Sequence, residues 1–172
     1  MTCVIAHRDG WTVADTRGMQ GAQILPCVFK KVVRVGPAGA SAHTLIGIAG
    51  QASVIHDFEN CAADAGEDVN KCAEIFRQII QELKPECGGS CLLVNNKREM
   101  YMLDSLGAAS KVTPETEFEV IGSGQDVAYG YLYRCQQQNG HVTQEDAMNA
   151  IRAAASRDVG VGPDSILETL YS

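Results

Sequence analysis

Short β-prone runs, each rich in apolar residues, dominate the first third of the chain. Residues 3–8 (CVIAHR) and 11–15 (WTVAD) are short β-prone runs, and the Asp9-Gly10 pair between them is a hairpin signal. Residues 27–35 (CVFKKVVRV) are predicted to form one further strand. Residues 44–50 (TLIGIAG) are apolar enough to predict a strand buried on both faces.

Apolar residues recur at helical spacing in the middle of the chain. Residues 51–62 and 69–84 each carry apolar side chains on one helical stripe, so both are predicted to be helices packed on a core. Asn70 is the predicted N-cap of the second helix, and Pro85 is predicted to end it.

The second half repeats the order of strands followed by helices. The predicted elements are a hairpin over 90–104 around Lys97-Arg98, a strand at 117–122, a helix over 126–138, a helix opened by a Thr143–Asp146 capping box, and a strand at 165–171. Two helix pairs and two sets of strands, each with an apolar face to cover, predict an α+β fold: a four-layer αββα sandwich in one domain over residues 1–172. The hairpins favour mostly antiparallel sheets.

Composition narrows the function classes. The net charge of −7, the pI near 5.0 and the absence of a basic stripe argue against a nucleic-acid partner. No segment approaches the roughly 18 apolar residues of a membrane span, and no export signal is visible, so we expect a cytoplasmic protein with reduced cysteines. The four histidines fall at no ligand spacing relative to the seven cysteines, so we expect neither a metal nor a cofactor.

Thr2 is the first candidate for chemistry. Methionine before a small residue is commonly removed, which would leave the Thr2 hydroxyl and a free α-amine on one residue. The reference pKa of that amine, about 7.7–8.0, suits a general base near neutral pH. One residue would then supply both nucleophile and base. Threonine at this position is also common without any such role, so the hypothesis requires positioned partners.

Asp15 and Lys31 are candidates for those partners. Strand alternation places Lys31 on one face with Phe29 and Val33, where a partly desolvated ammonium needs a carboxylate. Asp15, after the run WTVA, is the candidate carboxylate. A cation near the Thr2 amine would lower the pKa of that amine. A salt bridge that only stabilises the fold would bring the same two residues together.

Glycine-rich turns and a late aspartate complete the candidates. Gly50 lies where a strand turns into a helix, and its N–H could face a developing oxyanion. Residues 121–125 (IGSGQ) open another helix, but their spacing does not match a nucleotide loop. Asp158 follows an Ala-rich helix, where an acid is slightly unfavourable against the helix dipole. A tight turn or an N-cap accounts equally well for each glycine segment.

Several motifs in this order resemble those of proteasome-type β subunits, including the bacterial HslV-type peptidases, of the N-terminal-nucleophile hydrolases. They are DGWTVADTR, the KKV strand, GIAGQAS, VIGSGQDVAYGYL and AIRAAASRD, so the resemblance runs through most of the chain. The last two motifs are the most specific.

The resemblance implies a role for each matching residue. Thr2 would be the nucleophile, Asp15 and Lys31 its acid–lysine pair, and Gly50 the oxyanion donor. Ser123 and Asp158 would orient the N-terminal amine and hydroxyl. The implied apolar wall of the specificity pocket consists of Phe29, Val33, Ile48 and Ala52.

The resemblance also implies an activity and partners. These are peptide-bond hydrolysis by a threonine peptidase, a homo-oligomer of stacked six- or seven-membered rings, unfolded polypeptides as substrates, and an ATPase unfoldase as a partner. Two departures stand out: the stretch from Thr2 to Asp15 is two residues shorter than in the family, and Val161 replaces the usual serine. Val161, together with a retained Met1, would favour the alternative, a non-catalytic ring subunit that serves as a scaffold. A small-molecule amidohydrolase of the same superfamily is a third reading.

Overall fold

The computed structural model describes residues 2–36, 43–65, 68–83, 88–104, 106 and 108–171. Within these residues the chain forms eleven strands and four helices. In chain order they are β1 (Val4–His7), β2 (Trp11–Asp15), β3 (Arg17–Gln20), β4 (Gln23–Val28), β5 (Val32–Val35), β6 (Thr44–Ala49), α1 (Ala52–Ala65), α2 (Val69–Leu83), β7 (Ser90–Asn95), β8 (Met100–Leu103), β9 (Ala109–Lys111), β10 (Phe118–Ile121), α3 (Gln125–Asn139), α4 (Gln144–Ala155) and β11 (Ser165–Thr169).

Two antiparallel sheets form the centre of the molecule. One has the strand order β10-β1-β2-β11 and the other the order β5-β6-β7-β8-β9. Strands β3 and β4 form a separate two-stranded ribbon. The predicted hairpin at Asp9-Gly10 is confirmed, because β1 and β2 pair across it with Val4 opposite Ala14.

Three buried clusters divide the molecule into four layers, as the sequence predicts. Alternate residues along β1 and just before it belong to two of these clusters. Val4 and Ala6 face the other sheet, whereas Cys3 and Ile5 face α3 and α4. In the five-stranded sheet, Val33, Ile46 and Ile48 pack against α1 and α2. The helices therefore cover the two outer faces, and the sheets pack on each other.

Helix ends follow local side-chain chemistry. Thr143 caps α4 as predicted: its hydroxyl accepts from the Asp146 N–H at 3.1 Å, and its own N–H donates to the Asp146 carboxylate at 2.9 Å. The predicted cap Asn70 is wrong. Asp68 takes that position and accepts from the N–H groups of Asn70 and Lys71 at 2.9 and 3.3 Å. The end predicted at Pro85 lies outside the described residues.

The predicted strand over 27–35 is interrupted in the structure. Residues up to Val28 belong to β4 in the ribbon, and β5 starts only at Val32. Between them, the Phe29 N–H donates to the Thr16 carbonyl and the Lys31 carbonyl accepts from the Ile48 N–H, both at 2.9 Å. The chain changes sheet at this point, and Lys31 lies at the join. No helix among the described residues is long and apolar enough to cross a membrane.

Candidate active site

Asp15, at the end of β2, is the buried centre of a hydrogen-bond network. Its side chain is fully buried. One carboxylate oxygen accepts from the Cys3 N–H and the Lys31 ammonium, both at 2.9 Å. The other accepts from the N–H groups of Arg17 at 3.1 Å and Gly162 at 3.0 Å. Asp15 therefore ties together the start of β1, the ribbon, the loop before β11 and Lys31.

Lys31 is a buried cation with this carboxylate as its partner. Its side chain is only 4% exposed, and burial lowers the pKa of the ammonium below its ordinary value, although Asp15 opposes that shift. The nearby Arg17 charge acts in the same direction as burial. The structure thus brings together the Asp15–Lys31 pair that the sequence suggests.

Thr2 is held through its own backbone. Its N–H donates to the Ser123 hydroxyl at 3.2 Å, and its carbonyl accepts from the Gly124 N–H at 3.3 Å. Ser123 also hydrogen bonds to Asp158, and this bond lowers the pKa of that carboxyl group. Asp158 accepts a further bond from the Gly160 N–H at 2.8 Å. Asp158, Ser123 and the Thr2 nitrogen therefore form one chain of contacts.

Gly50 lies directly after β6, at the bend before α1. Two residues earlier, the Ile48 N–H donates to the Lys31 carbonyl, so Lys31 lies beside the end of β6 that leads to Gly50. Gly50 and Lys31 line the same cavity.

The cavity has a volume of about 540 Å³, and several predicted site residues line it. They are Thr2, Lys31, Gly50, Phe29 and Ala52. Ser123 lines a second cavity of about 280 Å³, which shares Thr2 and Gly50 with the first. Asp15 lies behind Lys31, and Asp158 lies behind Ser123.

Two residues of the predicted pocket wall lie elsewhere. Val33 and Ile48 are buried in the cluster beneath α1 and α2 and do not line either cavity. Strand alternation explains this placement, because their side chains point to the helix-covered face of the sheet. The apolar lining comes instead from Met19 and Leu25 of the ribbon and from Ile55 of α1. The ribbon carries Pro26 and two glycines, so its pattern gives no strand signal in the sequence.

Three glycines make close contacts that the sequence does not reveal. Gly162 donates to Asp15, and a Cβ there would lie 2.9 Å from the Arg17 Cβ. Gly18 allows the Phe29 ring to cross the ribbon at a distance that a side chain would block. Gly122 has φ +102° and directly abuts Thr2. Local motifs cannot identify these contacts, because each joins segments distant in sequence.

Cys3, next to Thr2, lies in the cluster beneath α3 and α4. Burial raises the pKa of its thiol to about 12, with a further contribution from the Asp15 charge. At neutral pH it therefore carries no appreciable thiolate. Thr2 has no competing nucleophile at the neighbouring position.

Asp158 gives a pH-dependent prediction. Since its pKa is lowered in the folded protein, it stabilises the fold above its ordinary value of 3.8, and that contribution is lost as the pH falls through the lowered pKa. We expect Asp158→Asn to lower the free energy of unfolding at pH 7. The difference from wild type should shrink at pH values below 3.8. Urea denaturation of both proteins at pH 7 and at a pH below 3.8 measures the free energy of unfolding. A difference between the two proteins that does not change with pH would contradict the prediction.

Comparisons with solved structures agree on the architecture of the chain, whereas comparisons with family models and curated proteins found no match. No family model matches the chain, and no curated protein does. Among solved structures, eukaryotic HslV from Trypanosoma brucei superposes with a TM-score of 0.68 at 20% identity, covering 98% of both chains. BPH from Thiobacillus denitrificans, solved in complex with epoxomicin, gives 0.72 at 18% identity over 100% of both chains.

A third structure, Anbu (ancestral β-subunit) from Yersinia bercovieri, has a TM-score of 0.74 at 14% identity and covers 97% of this chain and 80% of its own. At such identities the comparisons establish the fold. The chain has the fold of the proteasome-type, HslV-like β subunits.

Proposed function

We propose that this protein is a threonine-type endopeptidase subunit with Thr2 as its N-terminal nucleophile. One observation carries the proposal: Thr2 lines a cavity together with Lys31 and Gly50, and the Lys31 ammonium is held there by the buried Asp15 carboxylate. A scaffold gains little from such a pair, because replacing a buried ion pair by apolar residues is often neutral or stabilising.

The proposed reaction begins once Met1 is removed and the Thr2 nitrogen becomes a free amine. The Thr2 hydroxyl oxygen bonds to the scissile carbonyl carbon while its proton passes to that amine. The carbonyl oxygen becomes an oxyanion, which the Gly50 N–H stabilises. The C–N bond then breaks, and the leaving nitrogen takes the proton from the amine. Water hydrolyses the remaining ester, and the Thr2 hydroxyl is restored.

Each supporting residue has a positional task in this scheme. Lys31 keeps a positive charge near the amine, which favours the neutral, proton-accepting form. Asp15 holds Lys31 and also the Cys3 N–H, so it fixes the cation relative to the strand that begins beside Thr2. Ser123 and Asp158 orient the Thr2 nitrogen.

The cavity walls suit an apolar substrate side chain. Phe29 and Ala52 contribute to the lining as the sequence suggests, joined by Met19, Leu25 and Ile55. Arg17, at the start of β3, also lines the cavity, so we assign the apolar preference to the part of the wall formed by these apolar side chains.

The proposed assembly is a homo-oligomer of stacked rings in the cytoplasm, with unfolded polypeptides as substrates and an ATPase unfoldase as partner. A closed chamber would restrict hydrolysis to chains that enter it. The fold shared with HslV and Anbu supports this arrangement.

Covalent labelling tests the nucleophile directly. The intact mass of the purified protein should show that Met1 is absent. Incubation with epoxomicin, the compound held by BPH, should then add one inhibitor mass, and peptide mapping should place it on Thr2. Mapping is essential because Cys27 and Cys61 are exposed and can also react with electrophiles.

Two variants complete the test. Thr2→Ala should abolish the adduct and the hydrolysis of a peptide with an apolar residue before the cleaved bond. Thr113→Ala, which removes an exposed hydroxyl, should leave both unchanged. Retained Met1, or hydrolysis that survives Thr2→Ala, would contradict the proposal and favour the scaffold. Hydrolysis of small amides without peptides would favour the amidohydrolase.

A further inference from the structure

Two cavities meet at Thr2, and they differ in the groups that line them. Thr2, Gly50 and Gly88 line both cavities. Lys31 lines only the cavity of about 540 Å³, whereas Ser123 lines only the cavity of about 280 Å³. The proposed catalytic groups therefore lie at the boundary between two spaces, and the proposed reaction gives the smaller space no task.

The smaller cavity lies at the open end of the layer between the two sheets. Ser90, the first residue of β7, pairs with Ala49, the last residue of β6. Leu92, two residues along β7, belongs to the cluster between the sheets, so strand alternation directs the Ser90 side chain into the same layer. Gly122 and Ser123 follow β10 of the other sheet and also line the cavity.

Small residues form the wall of this cavity. Its described lining consists of three glycines, two serines, an alanine and a threonine, namely Gly50, Gly88, Gly122, Ser90, Ser123, Ala49 and Thr2. None of these residues is charged, and none has a large apolar side chain. Besides Thr2, the polar side chains are the hydroxyls of the two serines. The cavity thus suits a small, uncharged group.

The path of the proton assigns this cavity to the leaving half of the substrate. In the proposed reaction the leaving nitrogen takes its proton from the Thr2 amine, so the two nitrogen atoms must come within hydrogen-bond distance, roughly 3 Å. The Thr2 nitrogen already donates to the Ser123 hydroxyl at 3.2 Å, and Ser123 lines only the smaller cavity. The leaving nitrogen therefore departs on the side of the smaller cavity.

The larger cavity then holds the residue before the cleaved bond, whose side chain suits the apolar part of its wall. Gly50 lines both cavities. This position agrees with its proposed task, because the oxyanion forms on the carbonyl that joins the two halves of the substrate. One substrate that spans Thr2 thus occupies both spaces.

We infer that the smaller cavity binds the residue that follows the cleaved bond and selects a small, uncharged one: glycine, alanine or serine. Ser90 is the specificity-determining residue, because its side chain enters from β7 and lines the smaller cavity but not the larger one. The inference rests on the proposed function and adds the leaving half of the substrate to it.

A peptide series that varies only the residue after the cleaved bond tests the assignment. All peptides carry the same apolar residue before that bond, and mass spectrometry of the products fixes the position of cleavage. Wild type should hydrolyse the peptides with glycine, alanine or serine with a kcat/KM at least about 10-fold above those with leucine or phenylalanine, because bulky groups overfill a small site. Equal values across the series would overturn the inference.

Ser90→Leu fills the smaller cavity from its wall. We expect kcat/KM for the peptide with alanine after the bond to fall by about 10- to 100-fold. A peptide aldehyde with the same preceding residues carries only hydrogen in place of the leaving nitrogen, so its inhibition constant should not change. If the peptide and the aldehyde lose equally, the substitution disturbs the whole site and the assignment of Ser90 is wrong.

Two further serines supply matched controls. Ser53 lines the larger cavity and not the smaller one, so Ser53→Leu should alter the inhibition constant of the aldehyde and leave the relative rates within the peptide series unchanged. Ser110, exposed on β9, lines neither cavity, and Ser110→Leu should change neither measurement. If Ser53→Leu shifts the relative rates as much as Ser90→Leu does, the division between the two cavities is wrong.

Ser90→Thr adds less volume and gives the same comparison if Ser90→Leu does not fold. The outcomes also separate this inference from the proposed function. Hydrolysis of the series that survives Thr2→Ala contradicts the proposed function, and so does a wild-type protein that cleaves no peptide. A wild-type protein that depends on Thr2 but is indifferent to the residue after the cleaved bond overturns only the assignment of the smaller cavity.

Discussion

Replacing Lys31 by methionine is expected to reduce peptide hydrolysis by about 10²–10⁴-fold, the range typical of positioned groups that assist proton transfer. The change removes the cation that lines the cavity with Thr2. Without it the Thr2 amine holds its proton to a higher pH, so the acidic limb of the kcat/KM profile should also move upward. A purely structural salt bridge would produce neither effect.

The same substitution leaves the Asp15 carboxylate buried without its ammonium partner. Breaking a buried pair costs about 3–5 kcal/mol, so the stability of Lys31→Met must be measured beside its activity. The variant Lys31→Arg separates the loss of the positive charge from the loss of stability. It keeps a positive charge on Asp15, and its acidic limb should stay near that of wild type even though the larger guanidinium lowers kcat.

Lys30 is the matched control for this experiment. It adjoins Lys31 in sequence, but its side chain is 45% exposed and lies 3.4 Å from Glu168 at the surface. Exposed pairs contribute about 0–1 kcal/mol, so Lys30→Met should change stability little and hydrolysis not at all. If Lys31→Met and Lys30→Met behave alike, the proposed role of Lys31 is wrong.

The behaviour of these two lysines shows how much the sequence can predict. The need of a buried ammonium for a carboxylate points to Asp15, and the two groups lie 2.9 Å apart, whereas Lys30 pairs with Glu168 at the surface. Local rules also give the hairpins, the helices and the Thr143 cap, since each depends on neighbouring residues. The fold class follows from the order of these elements.

The residues of the pocket wall are harder to predict, because they depend on where the chain passes from the ribbon into the five-stranded sheet. The sequence suggests one strand through residues 27–35, whereas the structure breaks it before Val32. The break frees Phe29 to line the cavity and leaves Val33 in the helix-covered core. The ribbon that supplies Met19 and Leu25 has no alternating pattern, because its strands are largely exposed. Contacts between distant segments decide these positions.

Gly122→Ala is expected to disable the site without removing any proposed catalytic group. Gly122 has φ +102°, and a Cβ there would lie 2.2 Å from the Thr2 carbonyl oxygen and 2.8 Å from its carbonyl carbon. Both atoms belong to the backbone, so Thr2 itself must move. A misplacement of about 1 Å can cost 10²-fold in rate, and we expect a loss of that size or more in peptide hydrolysis. Strained backbone and overpacking together should lower the free energy of unfolding by about 2–5 kcal/mol.

Gly140→Ala isolates the contact with Thr2 from the backbone strain. Gly140 also has a positive φ, +79°, but a Cβ there would meet no atom within 4 Å. It should lose only about 1 kcal/mol and keep full activity, because its position at the end of α3 touches nothing in the site. Peptidase assays and urea denaturation of both variants give the comparison. If they prove equally stable and equally active, Gly122 does not position Thr2. If only Gly122→Ala loses hydrolysis, the close approach of the Gly122 and Thr2 backbones is what places the nucleophile beside Lys31.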